Sequence, residues 1–190
     1  MKWISNILII IGAAALLFAC WSYFSHSKAQ EQSLVEARER LQQNGSSTEA
    51  SMNAQDFTAA SGEAIGLLEV PKLDKELPIV EGTDPDALKK GVGHLADSVF
   101  PGQNEQILLA GHRDTVFKRF AELEVGDTFI VQMPYGEHEY EIRHTEIVDA
   151  DDTTVIRSMG EEVLVVSTCY PFDALSAAPE RFVFYAYPTN

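Results

Sequence analysis

With 190 residues, 45% of them hydrophobic, the chain is long enough for one ordinary core plus additional segments. Its formal charge of −15 argues against nucleic acid or anionic lipid as an electrostatic ligand, because those are held by clustered Lys and Arg that displace counterions. The first element in the chain is the uncharged run Ile4–Phe24, ISNILIIIGAAALLFACWSYF, close to the ~20 apolar residues that cross a bilayer as a helix. It is expected to be an uncleaved membrane anchor. Two other readings stay open: cleavage after Ser27-Lys28-Ala29, and lipidation of Cys20 behind Leu17-Phe18-Ala19. In each of them the chain from about residue 25 onward ends outside the cell. The flanking charges, Lys2 and Lys28, give little orientation by the positive-inside rule.

Residues Lys28–Asn44, KAQEQSLVEARERLQQN, are helix formers with Leu34, Val35 and Leu41 on one side. They read as a solvated juxtamembrane stalk. Gly45–Gly62 is small and polar and has little to bury against its ordering entropy, so it reads as a flexible tether. The chain thus divides into an anchor (1–24), a stalk and linker (25–62) and a folded domain (63–190).

From Glu63 the texture becomes short β-like runs: AIGLLEV, ELPIV, QILLAGH, DTFIVQM, HEYEIRHTEIV, EVLVVSTC and RFVFYAYP. Such runs between turn residues predict an all-β barrel or sandwich. Thr83-Asp84-Pro85-Asp86 before ALKKG predicts a capped short helix ended by Gly91, and a second is expected over Val116–Leu123.

Cys20 lies in the uncharged run, which leaves Cys169 as the one thiol of the folded domain, without an intrachain partner. It closes the apolar run Val163–Thr168 and precedes Tyr170-Pro171, so the thiol sits where a buried strand ends. That position suits a nucleophile, and a packed inert cysteine equally. Thiolate attack on a carbonyl needs a proton partner and donors for the developing oxyanion. His112 follows QILLAG and Arg181 opens RFVFYAYP, each at a predicted strand end. His94 reads as a core or substrate-loop histidine. His138 and His144 share one predicted strand, six positions apart and so on one face, and read as solvated or cross-strand paired. No close His or Cys pair has zinc-site spacing. Asp149, Asp151 and Asp152 lack the EF-hand pattern and read as an acidic surface loop.

Leu109-Ala110-Gly111-His112-Arg113-Asp114, then Ser167-Thr168-Cys169, then Ala178-Pro179-Glu180-Arg181-Phe182-Val183 together resemble the sortase signature of His, Thr-Cys and Arg. STCYPF and PERFVFYA look most like class D sortases, and the similarity runs over about Ala64–Pro188. Many sortases have Thr-Leu-x-Thr-Cys where this chain has Val165-Val166-Ser167-Thr168-Cys169. The resemblance implies a closed β-barrel with one or two short helices, preceded by a transmembrane helix. It implies a cysteine transpeptidase in which Cys169 attacks an LPxT-type sorting signal after Thr, His112 moves protons and Arg181 holds substrate backbone and oxyanion. His94 and Thr168 are further substrate-binding candidates.

The implied partners are LPxT-motif surface proteins and an amine acceptor such as a peptidoglycan precursor or pilin, at a Gram-positive-type envelope. No cofactor or metal site is implied, and activation by a divalent cation stays open. Two competing readings remain. A papain-like endopeptidase also pairs Cys with His, but its nucleophile opens a helix ahead of the histidine, whereas here His precedes Cys on strands. The other is a non-catalytic β-domain that binds wall or protein ligands.

Overall fold

The apolar and alternating runs become strands in the computed structural model, which describes residues 2–46, 53–173 and 178–189. The strands are β1 (Ala64–Val70), β2 (Lys75–Glu81), β3 (Val92–His94), β4 (Gln106–Gly111), β5 (Thr128–Met133), β6 (Gly136–Asp149), β7 (Val163–Tyr170) and β8 (Glu180–Pro188). They close a barrel in the order β1-β2-β3-β4-β7-β8-β6-β5. The β2/β3 and β4/β7 pairs are parallel and the rest are antiparallel. The expected all-β barrel is therefore present, with β3 as a short strand that its sequence, VGH, did not announce.

Inside the barrel Phe117, Phe120, Phe129, Tyr140 and Phe184 are fully buried; each such side chain stabilises the fold by roughly 1.5–3 kcal/mol through the surface it removes from water. A second cluster forms on the outer face, where Leu108, Val163, Val165, Val183 and Tyr185 are covered in part by Leu95, Val155 and Met159. Strand β7 is apolar on both sides because Leu164 and Val166 face the inner core while Val163 and Val165 face this outer one.

The helix α2 (Pro85–Lys90) forms as its sequence predicts: the Asp84 carboxylate accepts from Asp86 N at 2.9 Å and Ala87 N at 3.2 Å. Between Val116 and Leu123 there is only a 3-10 turn, Phe120–Glu122. Its neighbours Val116, Phe117 and Leu123 are drawn into the core individually instead of along a helical face.

The N-terminal region differs most from its expectation. One helix, α1, runs from Lys2 to Ser46, and its C-terminal half is no solvated stalk. Ser33 and Ala37 are buried, and Leu34 and Leu41 pack with Ala37 on Ala64 and Leu67 of β1. Val35, expected on that face, is 49% exposed. Arg38 pairs with Glu76, its Nε donating at 3.1 Å, and Arg40 pairs with Glu63 while donating to Ala64 O at 3.1 Å.

Of the predicted tether, residues 47–52 lie outside the described residues, and the remainder is ordered against the barrel. Phe57 is buried between Phe100 and Tyr135, Gln55 Nε2 donates to Gly102 O at 3.1 Å, and Gln103 Nε2 donates to Ala54 O at 2.7 Å. Upstream, Trp3, Ile7, Ile9, Ile10, Ile11, Leu16, Leu17 and Phe18 are exposed. Among the described residues no helix is long and apolar enough to cross a membrane. Within the uncharged run, the side chains of residues 4, 5, 8 and 19–24, Cys20 among them, lie outside the described residues.

Candidate active site

The sheet register brings three of the sequence-selected residues together. Gly111 of β4 is level with Thr168 of β7, so His112 and Cys169 are the next residues on two adjacent parallel strands. On the other side of β7, Cys169 is directly opposite Arg181 of β8, a spacing that puts Cβ atoms ~4.5–5.5 Å apart. Leu108 and Ala110 of β4, Val163 and Val165 of β7, and Val183 of β8 all belong to the outer cluster. Period-2 alternation therefore sends Cys169 and Arg181 to that same outer face, with His112 the first residue past the end of β4 beside them. Cys169 is half-buried and His112 is exposed. The described Arg181 hydrogen bonds both come from Nη1, to Ala178 O at 3.2 Å and Glu180 O at 3.0 Å. They hold the guanidinium at the strand entrance.

Local sequence explains why His112 stands where it does. A Cβ on Gly111 would lie 2.6 Å from the Phe117 ring and 2.8 Å from Val116 Cγ2, so only glycine lets the chain fold back immediately after the strand. The turn closes through Phe117 N donating to His112 O at 3.1 Å and is fastened by the Phe117–Phe120 ring pair at 4.1 Å.

The other two candidates are structural. Thr168 is buried and donates its hydroxyl to Gly111 O at 2.9 Å; this ties β7 to β4 one residue before the nucleophile candidate and leaves the hydroxyl away from the outer face. His94, on β3, is level with Leu109 of β4, three residues before His112, and is 1% exposed. Its Nδ1 meets Glu81 at 2.7 Å, its Nε2 meets Val99 O at 3.0 Å and Ser98 Oγ at 3.1 Å, and its ring stacks on Phe100 at 4.5 Å. Both ring nitrogens and one ring face are thus engaged inside the core.

His138 and His144 are not on one face. A register shift between Ile142 and His144 inserts one extra residue and flips the alternation. His144 is exposed and stacks on Tyr185 at 4.3 Å. His138 points inward near Tyr135, with Nε2 buried and lacking a partner among the described residues; burial pushes its pKa down, opposed by Glu162. Among the described residues no group of three or more His, Cys, Asp or Glu side chains could hold a metal. Of the aspartates read as a surface loop, Asp152 accepts from Thr154 N at 2.8 Å, closing a turn.

One neighbour was quoted in the sequence but not singled out. Arg113 is buried and donates Nη1 to Pro171 O at 2.6 Å. The signal that could have found it is an arginine between a predicted strand-end histidine and a run of apolar residues.

The sortase domain family model matches residues 68–189, the greater part of the chain. The chain belongs to the sortase family. It is 45% identical over 187 residues to Sortase D of Bacillus subtilis (strain 168), covering 93% of this chain and 94% of that protein. Among solved structures, the catalytic domain of SrtD from B. anthracis superposes with a TM-score of 0.61 at 36% identity, over 76% of this chain and 97% of that one. A Sortase D5 transpeptidase from Clostridium perfringens gives a TM-score of 0.71 over 86% and 99% of the two chains; at 23% identity it speaks for the fold alone. The closed barrel fits the sortase fold, and the protein is a cysteine transpeptidase most like class D sortases.

Proposed function

We propose that Cys169 is the nucleophile, His112 the general acid and base, and Arg181 the residue that holds substrate backbone and oxyanion, in a reaction on LPxT-type sorting signals. The observation that carries this reading is the row formed by His112, Cys169 and Arg181 at the adjacent ends of β4, β7 and β8. Cys169 Sγ, as the thiolate beside protonated His112, attacks the carbonyl carbon of the Thr of the signal. The peptide C–N bond breaks, His112 gives a proton to the leaving amine, and a thioester remains. An incoming amine then attacks the thioester, His112 takes its proton, and the C–S bond breaks to release the joined product. Arg181 donates to the oxygen that becomes negative in both steps. Thr168 and His94 contribute by holding β4, β7 and β3 in place.

The natural acyl donors in this reading are surface proteins with LPxT-type motifs. The acceptor is a peptidoglycan precursor or a pilin, at the outer face of a Gram-positive-type envelope. Residues 1–24 serve as the anchor, 25–62 as the connection, of which residues 33–41 and 54–57 pack on the barrel, and 63–190 as the catalytic domain. The anchor reading is supported by the uncharged run Ile4–Phe24 and by the exposure of its described apolar side chains; lipidation at Cys20 and a cleaved leader are its alternatives.

The test is intact-mass spectrometry after mixing the protein with an LPxT peptide, without and with an amine. A peptide adduct should form on the wild type and be missing from Cys169→Ala, and added amine should convert it mainly to ligated product. An adduct on the Ala variant would remove Cys169 from its role. Hydrolysed peptide dominating with several chemically different amines would replace transfer on these substrates by endopeptidase cleavage.

A further inference from the structure

Arg113 immediately follows His112 yet goes the opposite way. His112 is exposed, whereas the Arg113 side chain is only 7% exposed. Its Nη1 donates to Pro171 O at 2.6 Å, and its Nε lies 3.5 Å from an Asp114 carboxylate that is itself 76% exposed. A guanidinium is withdrawn from water in this way only where fixed acceptors replace the lost hydration. One such acceptor is the carbonyl two residues beyond Cys169. Thr168, one residue before Cys169, is meanwhile tied to Gly111 O. The nucleophile candidate is therefore bracketed by two ties, and both start from the residues that flank His112.

We infer that Arg113 is a positioning residue for the transfer reaction: its bond to Pro171 O pins the exit of β7 to the exit of β4 and so fixes His112 relative to Cys169. This rests on the reading of Cys169 and His112 given above. An arginine suits the task because its planar fork can hold one carbonyl while its remaining N–H groups bond in other directions, which a lysine ammonium on a flexible stem does less well. Folding does not hang on this tie alone. The same loop base is packed by Tyr170, Phe172 and Phe182, with ring separations of 5.8 Å and 5.2 Å along that chain. Loosening the tie leaves the binding surface in place and widens the spread of His112–Cys169 separations. The proton transfers then suffer while substrate binding does not, because even a displacement of about an ångström at reacting groups can cost ~10²-fold.

The experiment compares Arg113→Gln and Arg113→Lys with wild type in the full chain, reading kcat and KM for peptide-to-amine transfer, the pH profile of kcat, and the melting temperature. The expected result for Arg113→Gln is a kcat about tenfold or more lower, KM within about threefold, and a changed pH profile, in a protein that still melts cooperatively. Arg113→Lys, which keeps the charge and loses the fork, should recover only part of kcat. Wild-type kcat in either folded variant overturns the inference. So does a loss confined to KM, or an unchanged pH profile accompanied only by a lower melting temperature. If Arg113→Gln does not fold, the Lys variant decides on the same readouts. Failure of the underlying reading looks different: Cys169→Ala would then still form a covalent peptide adduct, whatever Arg113 does.

Discussion

The two ends of the barrel use similar side chains for opposite purposes. At the end where β4 and β7 terminate, His112 is exposed, Cys169 is half-buried and the Arg181 hydrogen bonds among the described residues go to carbonyls at its own strand entrance. At the end where those strands begin, Tyr140 and Glu162 are turned inward and paired, while His138 Nε2 is buried without a partner among the described residues. Tyr140 donates to Glu162 Oε1 at 2.7 Å, and Glu162 Oε2 accepts from Gly102 N and Asn104 N at 3.0 and 3.1 Å. Burial and the nearby Glu162 push the Tyr140 hydroxyl far above its ordinary pKa, so it acts as a fixed donor. His94 with Glu81 is a third such arrangement, inside the wall. A histidine whose nitrogens all have partners contributes rigidity; one left open at a strand exit is available for chemistry. The difference lies in the surroundings and not in the residue type.

Substitutions at the two ends should separate along that line. The largest effect is expected for His112→Ala, which should lower turnover by roughly 10²–10⁴-fold with an unchanged melting temperature. His94→Ala should do the reverse, keeping most of the turnover per folded molecule while costing about 1–3 kcal/mol of stability, because the Glu81 carboxylate is left buried without its partner. Urea titration alongside a transfer assay checks both, and equal loss of turnover in the two folded variants breaks the comparison. Arg181→Lys, which retains charge at the reactive end, should still lower turnover, by about tenfold or more, since a point charge replaces a planar fork; wild-type rates would remove Arg181 from the oxyanion role.

Phe57→Ala tests the opposite end. Emptying its site between Phe100 and Tyr135 should cost about 3 kcal/mol, read as a lower urea midpoint with KM unaltered. A smaller effect is expected at His138, whose pKa burial holds below the ordinary value. A base depressed in this way binds fewer protons folded than unfolded. Its penalty is absent well above pH ~6.5, grows as pH falls through that value, and levels off below the folded pKa. His138→Gln should therefore flatten the fall in melting temperature on acidification from pH ~6.5; a parallel fall in both proteins would place the acid sensitivity elsewhere.

Strands with a clean alternation or a wholly apolar run were legible from sequence, and with them the ends at which His112, Cys169 and Arg181 stand. What escaped had weak local signals. The strand Val92–His94 is too short for a period to register. The bulge near Arg143 adds one residue and inverts every facing assignment beyond it, so His138 and His144 parted company. The packed face of α1 is made by Ser33 and Ala37 as much as by leucines, because small residues let a helix approach a sheet closely. Phe57 is one aromatic in a polar stretch, and the surface it fills is supplied by Phe100 and Tyr135, distant in sequence. Such contacts are set by tertiary proximity, which composition does not encode.

The seating of α1 also decides which way the enzyme looks. Arg40 meets Glu63 and Ala64 where β1 starts, while Arg38 meets Glu76, level with Glu69 further along β1. The helix therefore runs against β1. The far end of β1 and β2 is the one that carries His112, since Lys75 Nζ donates to Val116 O and Lys118 O at 2.9 and 2.7 Å, in the segment that follows His112. Going back from Arg38 to Phe24 along a continuous helix climbs about 20 Å, beyond the rim that carries Cys169. Whatever grips the first turns of α1 thus has the rim that carries Cys169 facing it. In the closed strand order β7 is four strands from β1 in either direction, so α1 and Cys169 stand on opposite walls of the barrel, and a donor protein and an amine can reach Cys169 without passing the helix.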